Sequence, residues 1–307
     1  MNLSVVLCTF NRAETLRTAL GSFAELHVPA GLTWELLVLD NNSTDHTRQV
    51  AEAAAARLPL RYLGAPRQGK SFALNAGIAE ASGEVIAFTD DDATVDPEWL
   101  AALWRAFEQH DCIGVGGRIV PVWTSPKPRW YCETGPYRQM AGVIVRYEHG
   151  DAVREVEMLP FGANMAFRRT AFTTYGFFDT TLGPVGTRLV PGEDTEFCGR
   201  VRAGGGAILY VPDAIVYHPV EEARVRKSYF QGWYYRHGKI DVRLEPPPPG
   251  AIRWFGVPRY LFRDLLGELL RWVTAVDSRQ RFYHKLACWR RLGQIAECRR
   301  LRGAASA

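Results

Sequence analysis

The sequence predicts an α/β fold: a doubly wound, mostly parallel sheet followed by a helical C-terminal extension. Short apolar, β-branched runs alternate with amphipathic stretches from Leu3 to His110, the mark of βαβ units with right-handed crossovers. The first, second and fourth runs end in polar residues: Thr9-Phe10-Asn11, Asp40-Asn41-Asn42 and Asp90-Asp91-Asp92. In a parallel sheet those ends share one edge, and ligands of open α/β sheets bind in the crevice beyond it. No Gly-x-Gly-x-x-Gly follows the first run, which weakens a dinucleotide-dehydrogenase reading.

Leu3 to Cys8 is a buried strand by its continuous apolar character. Asn11 with Glu14 three residues on resembles a capping box, opening a helix to about Leu26. Trp34 to Leu39 is a second strand, and Ser43 caps a helix over Ala-rich sequence to about Arg57. Leu60 to Leu63 is a brief third strand, residues 64–69 a loop, and Lys70 to Ala81 a helix closed by Gly83. After the fourth strand, Asp96-Pro97 supplies an N-cap and first helical residue for a helix to His110, and Ile113 to Val120 is another strand. Residues 121–142 are rich in Pro, Trp and Tyr; their aromatics either stack on sugar or lipid or pack the segment onto the protein, and packing is preferred. Phe161 to Arg169 is a strand entering a helix. Gly192-Glu193-Asp194 opens a helix that Gly204-Gly205-Gly206 ends, Ile208–Val211 and Ala214–Tyr217 read as two short strands, and a helix covers about Arg224 to Arg236.

An apolar fraction of 47% with 23% charged residues excludes global disorder. The six cysteines form no CxxC pair and no metal-finger spacing, the expectation for reduced core thiols in a cytoplasmic compartment. No basic-then-apolar leader precedes the first strand, so no signal peptide is expected. The net charge of +4 is uneven: nine Lys/Arg against Asp277 and Glu297 give residues 271–307 a local +7, leaving −3 for residues 1–270. The basic character belongs to the tail.

Three consecutive carboxylates at a strand's carboxyl end suit a hard divalent cation, which bridges carboxylates to phosphates. The alternative is a solvated acidic turn ahead of the next helix. Two carboxylates about 4 Å apart repel by roughly 4 kcal/mol at an effective dielectric of about 20. A cation reverses that sign.

As an ordered set, the stretches Ser4–Arg12, Glu35–Asp45, Asn75-Ala76-Gly77, Thr89–Asp92, Gly162–Arg168 and Gly192-Glu193-Asp194 resemble the family 2 glycosyltransferases of the GT-A fold, over about residues 3–220. The resemblance implies a Rossmann-like sheet and an inverting transfer from a nucleotide diphosphate sugar, most often UDP-linked. The acceptor implied is a hydroxyl of a glycan or lipid-linked molecule, and Mn2+ or Mg2+ sits on the diphosphate. Thr9, Asn11 and Arg12 would line the nucleotide pocket, with Asp40 on the base. Arg67 and Lys70 would reach the nucleotide or diphosphate. Asp90 and Asp91 would face the ribose, and Asp92 would ligate the metal. Asp194, beside Glu193, would take the acceptor's proton. Gly162 and Asn164 would border donor sugar and acceptor, where Trp130 is a stacking candidate. His218, at a strand end before Pro219, is either a further metal ligand or structural. The expected domains are a catalytic 1–245 (nucleotide half about 1–120, acceptor half about 121–245) and a 246–307 extension.

Pro246 to Pro249 form a stiff spacer. From Pro258 to Val276, at 100° per residue, Leu261, Phe262, Leu265, Leu266, Leu269, Trp272, Val273 and Val276 fall on one face, and Arg259, Arg263, Asp264, Glu268 and Arg271 on the other. Spanning a bilayer would bury those charges at a cost on the order of 12–17 kcal/mol. The helix therefore either lies in a membrane interface, with residues 254–302 drawn to anionic lipid, or packs on protein. The preferred expectation is a peripheral enzyme of cell-envelope polysaccharide synthesis on the inner face of the plasma membrane. Among rivals, a sugar nucleotidyltransferase needs a Gly-rich basic loop where Phe10-Asn11-Arg12 stands. A non-catalytic sugar-nucleotide module would not need both the triplet and Glu193-Asp194. Nucleic-acid binding, suggested only by the basic tail, is not expected.

Overall fold

The computed structural model describes residues 1–65, 67–186 and 192–305, so Pro66 of the 64–69 loop lies outside them. In chain order the elements are β1 (Leu3–Thr9), α1 (Ala13–Phe23), β2 (Trp34–Asp40), α2 (Thr47–Ala54), β3 (Leu60–Gly64), α3 (Lys70–Glu80), β4 (Val85–Asp90), β5 (Thr94–Val95), α4 (Trp99–Gln109), β6 (Gly114–Trp123), α5 (Met140–Val143), β7 (Arg154–Glu155), β8 (Asn164–Arg168), α6 (Thr170–Tyr175), α7 (Glu193–Ala203), β9 (Ile208–Val220), α8 (Lys227–Leu244), β10 (Arg253–Trp254), β11 (Val257–Pro258), α9 (Arg259–Thr274) and α10 (Ser278–Ala305). Two compact units hold them: residues 1–122 with 145–219, and residues 123–144 with 220–307.

The first unit is the α/β body. Its sheet runs β3-β2-β1-β4-β8-β6-β9-β5, with β7 on β9. The β3-β2-β1-β4 half is parallel, and β8 joins antiparallel to both β4 and β6. Alternation along each strand builds a core on both faces, as double winding requires. Val5, Leu7, Leu36, Val38, Val85 and Ala87 meet α1, α2 and α4, while Val6, Leu37, Leu39, Ile86 and Phe88 meet α3, α6 and α7. Gly77 lets α3 approach the sheet, since a Cβ there would lie 2.6 Å from Val6 and 3.0 Å from Leu39.

Three local expectations are corrected. No side chain of its own segment caps α1; instead Asp45 Oδ2 accepts the Ala13 N–H at 3.1 Å. Ser43 does not start α2, which begins at Thr47 with Asp45 Oδ1 accepting its N–H at 3.1 Å. The two strands read at Ile208–Val211 and Ala214–Tyr217 are one strand, β9. Pro212 falls between the stretches paired with β7 and β5, so its missing N–H interrupts neither ladder.

The second unit is helical. A Cβ on Gly238 of α8 would sit 2.0 Å from the Arg290 carbonyl oxygen of α10, and one on Gly293 of α10 equally close to that of Tyr235. The two helices therefore cross backbone to backbone, and only glycine fits there. Asp241 of α8 pairs with Arg290 at 2.7 Å, and Arg243 with Glu297 at 2.7 Å. The expected boundary at residue 245 thus falls inside this unit: the prolines join helices of one core.

Candidate active site at the carboxyl ends of the strands

The parallel register aligns the polar strand ends. Thr9 lies beside Asp40, and Cys8 beside both Leu39 and Asp90. Beyond them the triplet fans out. Asp91 and Asp92 are buried, and Arg12 Nη1 donates to Asp91 Oδ1 at 3.1 Å and to Asp92 Oδ2 at 2.8 Å. Burial pushes the Asp91 carboxyl up to about 6, with the Asp92 charge adding to the rise and Arg12 opposing it. His218, 126 residues along the chain, brings Nε2 to 3.4 Å from Asp92 Oδ1. Its Nδ1 donates to the Pro219 carbonyl at 3.0 Å, which leaves Nε2 as the lone-pair nitrogen facing the carboxylates. Ligand atoms of Asp90, Asp92 and His218 all lie within 4.8 Å of one another.

Lys70, the first residue of α3, ties this cluster to the start of α7. Its Nζ lies 2.8 Å from Asp90 Oδ1 and 3.6 Å from Glu193 Oε1. Burial alone would lower the ammonium's pKa, but Asp90 and Glu193 hold it well above its usual value. Burial raises Glu193 to about 7, against the pull of Lys70. Gly192, at φ 111°, makes the left-handed entry to α7 that places both acids at the helix start. Asp194 Oδ2 accepts the Gly162 N–H at 2.8 Å, and Oδ1 the Thr195 N–H at 2.7 Å. A helix N-terminus suits such a carboxylate. A Cβ on Gly162 would be 3.6 Å from Asp194 Oδ2 and 3.8 Å from Lys70 Nζ, so its bareness keeps this corner open.

The crevice holds Asp90, Asp91, Asp92, Glu193 and Asp194 against the cations of Arg12 and Lys70. That excess of buried negative charge, with two carboxylates and an imidazole converging, fits a hard divalent cation.

The pocket flank is built from two interlocked loops. Asn11, at φ 51°, accepts the Thr44 N–H at 2.7 Å on Oδ1, and its own N–H donates to Ser43 Oγ at 2.8 Å. Asp40 accepts the Ser43 N–H at 2.8 Å and the Tyr62 hydroxyl at 2.5 Å. Tyr62 was missed by sequence reasoning; its register opposite Val38 marks only a strand residue. Asn41 was missed too: its Oδ1 accepts the Gly69 N–H at 2.9 Å and so holds the loop that leads to Lys70. Arg67 is exposed, its guanidinium 4.2 Å from the centre of the Phe72 ring.

Two expected residues are not brought to the crevice. Asn164 is fully buried: its Oδ1 accepts the Trp99 Nε1–H, and its Nδ2 donates to the Arg118 and Ala214 carbonyls, all at 2.8 Å. That amide knits the sheet to α4 and has nothing left for a sugar. Trp130 belongs to the second unit, where its ring meets Phe230 at 5.0 Å and Phe282 at 4.7 Å. Packing is what this part of the aromatic segment does.

Residues 4–176 match the profile described as glycosyl transferase family 2. The chain belongs to that family. The family 2 chain is 29% identical over 249 residues to the glucosyl-dolichyl phosphate glucuronosyltransferase of Haloferax volcanii, covering 76% of each protein. It is 28% identical over 247 residues to the succinoglycan biosynthesis protein ExoM of Rhizobium meliloti, covering 80% of this chain and 75% of that one. Its fold is GT-A. A mannosyltransferase from Pyrobaculum calidifontis, solved with GDP-Man and Mn2+, superposes with a TM-score of 0.57 at 20% identity, over 100% of this chain and 75% of its own. S. aureus TarS 1-349 with UDP-GlcNAc gives 0.57 at 16% identity, over 100% and 92%. This family 2 member is a glycosyltransferase whose Asp90/Asp92 pair is a DxD-like site suited to a divalent metal.

Proposed function

We propose that this glycosyltransferase moves a sugar from a UDP-linked donor to a hydroxyl of a glycan or lipid-linked acceptor by a single inverting displacement. The observation that carries the reading is the pairing, across Lys70, of the Asp90/Asp92/His218 cluster with an Asp194 carboxylate held by two backbone N–H groups. Asp194 accepts the acceptor's hydroxyl proton as that oxygen bonds the anomeric carbon, and the bond from that carbon to the phosphate oxygen breaks on the opposite face. Glu193 and Asp90 fix Lys70. Thr9, Asn11 and Asp40 bound the nucleoside pocket, and two of the four lone-pair sites of Asp40 stay available for the base. Asp91 lies toward the ribose, and Arg67 offers an exposed cation at the rim. Mn2+ or Mg2+ held by Asp90, Asp92 and His218 would stabilise the leaving diphosphate as a Lewis acid.

Three likenesses support the finer points. TarS was solved with UDP-GlcNAc, the Haloferax relative's name specifies glucosyl-dolichyl phosphate, and ExoM serves succinoglycan synthesis. We place the enzyme in cell-envelope polysaccharide synthesis, peripheral on the cytoplasmic face of the membrane. No helix of the described residues is long and apolar enough to cross one. A panel of nucleotide sugars, each with and without Mn2+ or Mg2+, tests the reaction by nucleoside diphosphate release. UDP release that needs the cation is expected. Release of GDP from GDP-sugars alone would overturn the uridine assignment.

A further inference from the structure

Among the large apolar side chains of the described residues, every one that is more than half exposed lies between positions 252 and 276: Ile252 66%, Trp254 53%, Phe255 82%, Leu266 59%, Leu270 59%, Val273 75% and Val276 93%. Sequence periodicity put a single apolar face on this helix. The structure divides it. Leu261 is buried, and Phe262 and Leu265 pack with Val257 and Ile295, while Leu266, Leu270 and Val273 form an outward stripe at spacings of four and three.

The β10–β11 hairpin extends that stripe past the start of α9. The Trp254 ring lies 6.3 Å from that of Phe262, one turn before Leu266. The tip residues Phe255 and Gly256 both have positive φ, 51° and 82°. Such a turn favours Asn-Gly, and a bulky aromatic in the left-handed region is strained. Strain that presents the most exposed aromatic ring of the stretch to solvent calls for a purpose.

Charge states what the stripe faces. From Ile252 to Arg263 there are three arginines and no carboxylate. The acids of α9 point inward to α10: Glu268 meets His284 at 2.7 Å, and Asp264 meets Arg291 at 3.7 Å. The Arg259 guanidinium stands 5.8 Å from the Trp254 ring centre, and the Arg263 side chain is 78% exposed. Apolar side chains flanked by outward arginines, with carboxylates turned away, complement an anionic lipid surface.

We propose that Trp254, Phe255, Leu266, Leu270 and Val273 form a wedge that enters the interface of an anionic bilayer, with Arg253, Arg259 and Arg263 on its headgroups. This rests on the peripheral placement proposed above and names the side chains and the lipid class that accomplish it. A second copy of the chain, the other possible cover for such a face, would place these arginines against one another.

Vesicle flotation of the full-length protein tests it, comparing phosphatidylcholine alone with a mixture of three parts phosphatidylcholine and one part phosphatidylglycerol. Binding is expected to the mixed vesicles, weakening as salt rises. It should fall by about tenfold or more in Trp254→Ser/Phe255→Ser and in Leu266→Ser/Leu270→Ser/Val273→Ser, and as far in Arg259→Glu/Arg263→Glu. These side chains are outside the core, so melting temperatures should match the parent's, and Asp92→Asn should bind vesicles as the parent does. Parent protein that floats with neither vesicle overturns the peripheral placement and the wedge together. Parent that floats while the serine variants float equally overturns the wedge alone. Equal affinity for neutral vesicles overturns the anionic assignment. A parent dimer that the serine variants dissolve, without vesicle binding, assigns the face to a second copy.

Discussion

Arg12 Nη1 contacts Asp92 Oδ2 at 2.8 Å and Asp91 Oδ1 at 3.1 Å, so one half-exposed guanidinium neutralises two buried carboxylates. It occupies, as an internal cation, oxygens that a DxD-like metal would share. Arg12→Ala should therefore destabilise the metal-free protein by about 1–3 kcal/mol, less than for a wholly buried pair because arginine is partly solvated. Saturating Mn2+ should restore more stability to this variant than it adds to the parent. Thermal melts with and without Mn2+ decide; an equal gain in both proteins would show that Arg12 and the metal do not compete.

The two acidic ends of the crevice should fail differently. Asp194→Asn keeps the shape of the side chain and removes its basicity, so turnover should drop about 10²–10⁴-fold with donor affinity within a few-fold of the parent. Asp92→Asn should instead lose cation-dependent donor binding. Calorimetry with UDP-sugar and Mn2+, alongside turnover, separates them. Parent-like turnover in both variants would refute the mechanism.

Glu193 gives the stability of the fold a pH dependence of known sign. Its carboxyl is raised by burial from 4.5 to about 7, so in that window the folded state binds more protons than the unfolded chain. Stability is then full below about pH 4.5 and declines as pH rises toward 7, by about 3 kcal/mol for this one group. Asp91, raised to about 6, acts in the same direction. Glu193→Gln should flatten the decline between pH 5 and 7 and leave the Asp91 part. Urea titrations at several pH values check this, and an unchanged slope in the variant would refute it.

Asn164→Ala should behave as a folding defect. It leaves the Trp99 N–H and the Arg118 and Ala214 carbonyls without their buried partner, at about 2–4 kcal/mol. The donor KM of the folded fraction should stay within about twofold. A KM raised tenfold in stable protein would return Asn164 to the sugar site.

The parallel half of the sheet was legible because burial on both faces demands unbroken apolar runs, and each run ends in polar residues the body does not otherwise explain. Asp90 to Asp92 and Glu193-Asp194 were legible for the same reason: carboxylates at strand and helix ends have few structural uses. The contact of His218 with Asp92 joins positions 126 residues apart, and no local pattern encodes it. Asn164 misled because its neighbours Gly162 and Arg168 fit the family stretch, while its partners Trp99 and Ala214 come from distant elements. Pro212 misled by reading as a break when it sits in a gap between two ladders. The extent of the second unit was hidden because Gly238 and Gly293, which let α8 and α10 touch, look individually like flexible positions.

The loops after β1 and β2 are stitched together at Asn11–Thr44, Asn11–Ser43 and Ala13–Asp45. Their freedom is surrendered when the chain folds, before any nucleotide arrives. A nucleoside lodging beside Thr9 and Asp40 meets a wall already in its final shape, so little ordering entropy is charged against its affinity. Lengthening either loop by one residue would break the stitches and shift that entropy onto the ligand, weakening binding without removing any group that touches it.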